Sequence, residues 1–224
     1  MACEAMTKFQ KLLISARYWL LGMAENSPVY FKVLEAMEFA LERHDGVRNG
    51  GDPEFIHQLG IFHHLRTLHK YIRNPVIVYT LVFLHDTVED KGVTLEEVEE
   101  RWGPAIRHKV DLLSKEVNGA KKVNYNLDPV FQDEDTSIVK GGDRVNNVSS
   151  MVGVFKHHRL ERYIKETANE FFPRLKQARR SFPHQEAIYE NIKLELKNQL
   201  SLISHIIEGY APTNDVPTVG DAQP

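Results

Sequence analysis

Residues 76–84, Val-Ile-Val-Tyr-Thr-Leu-Val-Phe-Leu, constrain the fold of this chain more than any other stretch. They carry no charge and run directly into His85-Asp86, with Glu89-Asp90 close behind. A segment that is apolar on every side has to be covered on every side, so other elements must build a shell around it. Asn74-Pro75 reads as an N-cap and first-turn pair, which makes the covered segment a helix. The charged groups at its far end cost several kcal/mol to bury unless they are paired or coordinated. If the helix carries on through them, His85 lies four residues from Glu89 and Asp86 four from Asp90. Two adjacent stripes of metal-binding or proton-moving groups would then run along one helix.

The shell is also helical by its periodicity. A first helix is expected over residues 7–22, where Phe9, Leu12, Leu13, Ala16, Leu20 and Met23 recur at helical spacing. Arg17 interrupts that segment, which argues against a signal sequence. Pro28 opens a second helix with an apolar stripe from Val29 to Leu41, ending near His44 before a loop rich in Gly, Asn and Asp. Ile56, Leu59, Ile61, Phe62, Leu65 and Leu68 mark a third. Thr94-Leu95-Glu96-Glu97 is a capping-box pattern for a short helix that Gly103-Pro104 closes. The helical period returns over 106–117, whereas 120–136 is polar and reads as a mobile loop. A helix resumes at Ser137 and contains Gly141-Gly142, each costing about 1 kcal/mol relative to Ala. Close approach of a ligand or tight helix packing would account for them. Helices at about 159–180 and 184–208 complete an all-α, compact multi-helix bundle with weak strand signals throughout. The organisation expected is an N-terminal helix (1–27) packed on the domain, a main domain (28–208) and a disordered tail (209–224).

Bulk properties narrow the function. A net charge of -3 with pI near 6.4 argues against binding a nucleic-acid polymer through bulk electrostatics, and leaves room for a local nucleotide pocket. No stretch approaches roughly 18 uninterrupted apolar residues, so no membrane span or membrane partner is expected. Cys3 is the single cysteine, which excludes an intramolecular disulfide and any cysteine-based zinc site and fits a reducing cytoplasm. His, Asp and Glu remain as metal ligands.

One His-Asp pair cannot hold a metal by itself. The best additional candidates are His57, at the start of the third helix, and Asp143, in the glycine-bearing helix. Two imidazoles and two carboxylates suit a divalent ion such as Mn²⁺, ahead of Fe²⁺ or Zn²⁺. Glu89 and Asp90 are placed to orient or deprotonate a water. Taken singly, each residue has a plainer reading: His57 as an exposed helix-start histidine, Asp143 as a partner of Arg144 or Lys140, Arg48 as a loop ion pair. His63, His64 and His69 lie close in sequence, but His63 falls on another helical face from His57, and His157-His158 reads as surface.

Several blocks in order overturn those plainer readings. Residues 37–46 end in His44-Asp45-Gly46; Arg48, Gly51-Asp52-Pro53 and His57 follow; then come 84–90, Leu-His-Asp-Thr-Val-Glu-Asp. Trp102-Gly103 with Leu112-Leu113-Ser114-Lys115, and 139–148 with Asp143-Arg144 and Asn147, complete the series. Over residues 33–151 the pattern resembles the HD-domain metal-dependent phosphohydrolases, and more narrowly their alarmone hydrolase domain of the RelA/SpoT type. The resemblance implies that His57, His85, Asp86 and Asp143 ligate one Mn²⁺ and that Glu89 and Asp90 form the catalytic acidic pair. It also implies that Arg48 packs on a guanine base, while Asn147 and Ser150 help hold the nucleotide. Lys140 and Arg144 either meet phosphate or brace the acidic cluster. The reaction implied is hydrolysis of the 3′-diphosphate of guanosine tetra- or pentaphosphate to pyrophosphate and GDP or GTP, by a small stand-alone hydrolase without synthetase activity.

This sequence departs from the family pattern at Gln58, in place of proline, at Glu54-Phe55, in place of Tyr-Ile, and at Gly141-Gly142, in place of Leu-Ala. Two alternatives remain: another HD phosphohydrolase, acting on a nucleotide 2′- or 3′-phosphate or a deoxynucleoside triphosphate, and a nucleotide-binding module without turnover. The expected partner is a guanosine alarmone nucleotide, and a homo-oligomer is compatible with the sequence.

Overall fold

Helix α4 (Pro75–Leu84) is the apolar segment, and it sits at the centre of the molecule. In the computed structural model, which describes residues 6–48 and 50–209, every side chain from Val78 to Leu84 is buried. Four helices cover it: α2 (Tyr30–Arg43), α3 (Ile56–Arg66), α7 (Pro104–Leu113) and α9 (Glu134–Ser150). Helix α1 (Lys8–Asn26) lies outside them, against α2 and α3. It starts at Thr7, whose hydroxyl accepts from Gln10 N while the Gln10 side chain returns to Thr7 N. Contrary to the expectation, Asn74 makes no side-chain capping bond at the start of α4. It donates to Glu134 and Asp135, tying the start of α4 to the start of α9.

Three expected elements differ. The helix does not run through the acidic stretch: α4 stops at Leu84, His85 and Asp86 form a turn, and α5 (Thr87–Asp90) follows as a separate short piece. Asp86 keeps helix-like dihedrals and its carbonyl accepts from Asp90 N at 2.9 Å, so the break is a kink rather than a loop. After α6 (Leu95–Trp102) and α7, the polar segment 120–136 is structured. Strands β1 (Glu116–Val117) and β2 (Ala120–Lys121) form a hairpin, and α8 (Asp128–Gln132) follows. Asn118 and Gly119 both take positive φ (52° and 72°), as a two-residue turn with the right twist for a hairpin requires. The helix expected over 159–180 is split into α10 (His157–Glu166) and α11 (Phe172–Ser181) by a π-type turn at Thr167–Phe171. The last helix, α12 (Glu186–Gly209), packs along α9. The tail expected over 209–224 lies outside the described residues, apart from Gly209 at the end of α12. No helix among the described residues is long and apolar enough to cross a membrane.

The two glycines in α9 answer a packing requirement. A Cβ on Gly141 would sit 2.6 Å from Ile192 Cδ1 of α12, and one on Gly142 would sit 3.0 Å from Ile61 Cγ2 of α3. Small residues let α9 approach both neighbours, and α9 is buried along nearly its whole length. Asp133 starts that helix by accepting from the backbone N–H of Asp135 and Thr136. Lys109 bridges Asp133 and Asp135, holding the helix start against α7.

A candidate metal centre beside a nucleotide-sized cleft

Three helices deliver the candidate ligands to one point. His57 comes from the first turn of α3, His85 from the end of α4 and Asp143 from the middle of α9. Their ligand atoms lie within 4.8 Å of one another and all three residues are buried, so the group can hold a metal ion. Asp86 stands at its edge, partly exposed. Its Oδ2 is 3.0 Å from His85 Nε2 and 3.6 Å from His57 Nε2. His57 Nε2 is also 3.2 Å from Asp143 Oδ1.

The other nitrogen of each ring is already committed. His57 Nδ1 donates to Asn146 Oδ1 at 2.7 Å, and His85 Nδ1 donates to the Val82 carbonyl at 2.9 Å. Each ring therefore turns Nε2 toward the carboxylates, as ligating histidines do when an outer partner fixes their tautomer. His85 Nε2 is buried without a hydrogen-bond partner among the described residues, although Asp86 lies within ion-pair distance. A buried imidazole nitrogen facing carboxylates is a donor set that a divalent cation completes in place of a proton.

Electrostatics show the same strain. Burial favours the neutral His85 ring, but the Asp86 and Asp143 carboxylates outweigh it and raise the pKa to about 9. Asp86 would be raised by burial, yet His85 holds it below the usual carboxylate range. Asp143 is likewise held well below that range, against burial, first by Lys140 and then by His57. Lys140 Nζ donates to Asp143 Oδ2 at 2.7 Å, and Asn147 Nδ2 donates to Oδ1 at 2.5 Å.

The acidic pair diverges. Glu89 Oε2 accepts from Lys115 N at 2.9 Å, whereas Asp90 has its pKa raised to about 6, by burial of the carboxyl and then by Asp86, Glu89 and Glu54. Arg48, Asn147 and Ser150 line one cleft of about 530 Å³. Lys140, Asp143 and Arg144 line a second, of about 350 Å³, and Asn147 and Tyr163 border both. Arg144 pairs with Glu166 at 2.5 Å and lies over the rings of Tyr163 and Phe171, but its Nη1 is buried without a partner among the described residues. Ser150 Oγ is turned back to the Asn147 carbonyl at 3.1 Å. The neighbouring histidines are engaged in packing: His63 donates to the Leu12 carbonyl, His64 to Asn191, and His69 meets the Tyr79 hydroxyl.

Sequence reasoning missed two outer residues. Asn146, beside the singled-out Asn147, is the one that orients His57, and Gly60 makes room for it. A Cβ there would meet Asn146 Nδ2 at 2.2 Å. Gln58 is buried and donates to His44 Nε2 at 3.1 Å, while His44 Nδ1 donates to the Ala40 carbonyl. One turn of α3 separates His57 from Gly60, and one turn of α9 separates Asp143 from Asn146; that spacing is the signal that could have found the pair.

No family model matches the chain. It is 30% identical over 149 residues to a GTP pyrophosphokinase rsh of Brucella ovis, across 62% of this chain and 19% of that protein. Over the same length it is 30% identical to a guanosine-3′,5′-bis(diphosphate) 3′-pyrophosphohydrolase of Aquifex aeolicus, across 63% of this chain and 21% of that one. The mouse guanosine-3′,5′-bis(diphosphate) 3′-pyrophosphohydrolase MESH1 is 28% identical over 148 residues, 61% of this chain and 81% of the mouse protein. The solved structure of a metazoan ortholog of SpoT, described as hydrolysing ppGpp, aligns with a TM-score of 0.56. That alignment takes in 76% of this chain and 94% of the other at 16% identity, and it carries the fold. Across about three fifths of its length the chain is similar to proteins of the RelA/SpoT type. The His-Asp pair of this chain, His85-Asp86, sits at the kink between α4 and α5. The chain spans only about a fifth of the length of the two bacterial relatives.

Proposed function

We propose that this chain is a Mn²⁺-dependent HD-domain hydrolase that removes the 3′-diphosphate of guanosine tetra- or pentaphosphate as pyrophosphate, leaving GDP or GTP. The observation that carries the reading is the pair of imidazole Nε2 atoms facing the Asp86 and Asp143 carboxylates, beside a cleft lined by Arg48, Asn147 and Ser150. The names of the mouse and Aquifex relatives supply the substrate class. His57, His85, Asp86 and Asp143 would hold the ion. When bound, a divalent cation neutralises diphosphate charge and lowers the pKa of a coordinated water.

The chain's own groups do the rest. Asp90, with a pKa raised to about 6, is poised to take and return a proton near neutral pH. Glu89, anchored by Lys115 N, is placed to orient the attacking water. Arg48 offers a guanidinium plane for a purine to stack on. Lys140 and Arg144 border the second cleft with Asp143; Lys140 braces the carboxylate, and Arg144, paired with Glu166, adds positive charge at the cleft wall. Asn147 touches Asp143 and lines both clefts, so it couples the nucleotide to the metal ligand.

A panel of guanosine 3′-diphosphates, nucleoside 2′- and 3′-phosphates and deoxynucleoside triphosphates, with and without Mn²⁺, tests the reading by chromatography of the products. Pyrophosphate released from the guanosine 3′-diphosphates alone is the expected result. Cleavage of another substrate with those left intact would sink it. Asp86→Ala should lose both bound Mn²⁺ and turnover. Glu89→Gln should lose turnover, by about 10²–10⁴-fold, while still binding Mn²⁺.

A further inference from the structure

On a chain of net charge -3, one groove gathers cations. Between α11 and α12 lies a cleft of about 290 Å³ whose lining includes Phe172, Leu175 and Tyr189. Leu175 and Tyr189 are buried to within 2% and 1% exposure, so they form a dry floor. The Tyr189 hydroxyl is already bonded to Ser137 Oγ of α9, at 2.8 Å, and has little left to offer a polar ligand. Around this floor stand Lys176, Arg179, Lys193 and Lys197, with Glu190 the one carboxylate in the lining. Arg179 and Lys193 share that carboxylate. Neither Lys176 nor Lys197 pairs with a carboxylate among the described residues, and both are exposed at the rim.

Apolar floor and uncompensated positive rim select one kind of occupant. A purely apolar molecule would leave the rim charge unanswered, and a bare anion would leave the floor wet. The volume lies at the small end of ligand pockets, which excludes a large ligand. We propose that this cleft binds a small amphipathic anion, an apolar chain or ring ending in a single carboxylate or phosphate group. It shares no lining residue with the clefts beside the metal centre, so it stands whether or not those turn over an alarmone.

Calorimetric titration of the full chain with decanoate and with decyl phosphate tests the site, with decanol and inorganic phosphate as controls. Saturable binding of either anion, one per chain, is expected, and the anion that binds identifies the head group. Lys176→Glu/Lys197→Glu, at two exposed positions and with thermal melting to check that the fold persists, should weaken it roughly tenfold or more. Asp86→Ala should leave it unchanged. The proposal is overturned if neither anion binds saturably, if decanol binds as well as decanoate, or if inorganic phosphate binds as well as decyl phosphate. It is equally overturned if the double variant binds like the parent, or if Asp86→Ala abolishes binding and so moves the ligand to the main cleft.

Discussion

Asn146 accepts a hydrogen bond from His57 Nδ1, and that contact decides which ring nitrogen is left facing Asp86 and Asp143. Removing the acceptor frees the ring to rotate and to exchange tautomers. Asn146→Ala should therefore cut Mn²⁺ affinity by about 10–100-fold, the usual consequence of losing an outer partner of a ligating histidine. Calorimetric titration with Mn²⁺ measures it, and circular dichroism checks that the fold persists. Gly60→Ala approaches the same contact from α3, since its Cβ would fall 2.2 Å from Asn146 Nδ2 and drive the amide aside. It should reproduce the loss while His57 and Asn146 both keep their own side chains. Normal affinity in both variants would show that His57 is oriented by something else.

At the scale of elements, α9 is fixed by its two glycines. Ala in place of Gly141 gains about 1 kcal/mol of helix propensity but overpacks the fully buried Ile192, at a cost of about 1–3 kcal/mol. The clash wins, and Gly141→Ala should lower the melting temperature by about 2–4 °C for each kcal/mol lost. Adding Ile192→Val removes the offending Cδ1 and should recover most of the loss. A Gly141→Ala protein as stable as the parent would mean that α12 yields freely. Gly142→Ala, with its nearest contact at 3.0 Å, should come out close to neutral. Tight packing was one of two readings open for these glycines from sequence, and it is the one the contacts support. The apolar run of α4 was legible because nothing polar interrupts it. Its end was not, because His85 and Asp86 keep helical dihedrals while the chain kinks, and a sequence pattern registers only the spacing. The hairpin was missed, with residues up to 117 read as helical and 120–136 as a loop, because its strands are two residues each and give no alternation, although Asn118-Gly119 is a strong hairpin-turn signal. The members of the candidate metal group, His57, His85 and Asp143, could be named from motif order. Asn146 was not, because its role depends on the crossing of α3 and α9; the one-turn spacings of Gly60 from His57 and of Asn146 from Asp143 are the sequence's sole hint of it.

The whole molecule titrates, and its histidines do not all act in one direction. Burial lowers the pKa of His63, against its bond to the Leu12 carbonyl and with help from Arg66, and burial lowers that of His44 as well. Below the unfolded pKa of about 6.5 the unfolded chain takes up protons that these rings refuse, so their stability is present above that value and lost as pH falls. Urea midpoints should drop as pH falls from 7.5 to 5, less steeply in His63→Gln than in the parent. An equal slope in the two would remove His63 from the account. His85 acts with the opposite sign in the metal-free protein. Its pKa is raised to about 9, so the stability it contributes is fully present below 6.5 and lost as pH rises through 9. A bound metal needs the neutral ring and takes the place of that proton. Metal-free protein should therefore melt at lower temperature as pH climbs from 6.5 to 9, while the Mn²⁺-saturated protein should not, so that the gap between their melting temperatures widens with pH. A gap that stays constant across that range would mean that His85 is not the group the cation displaces a proton from.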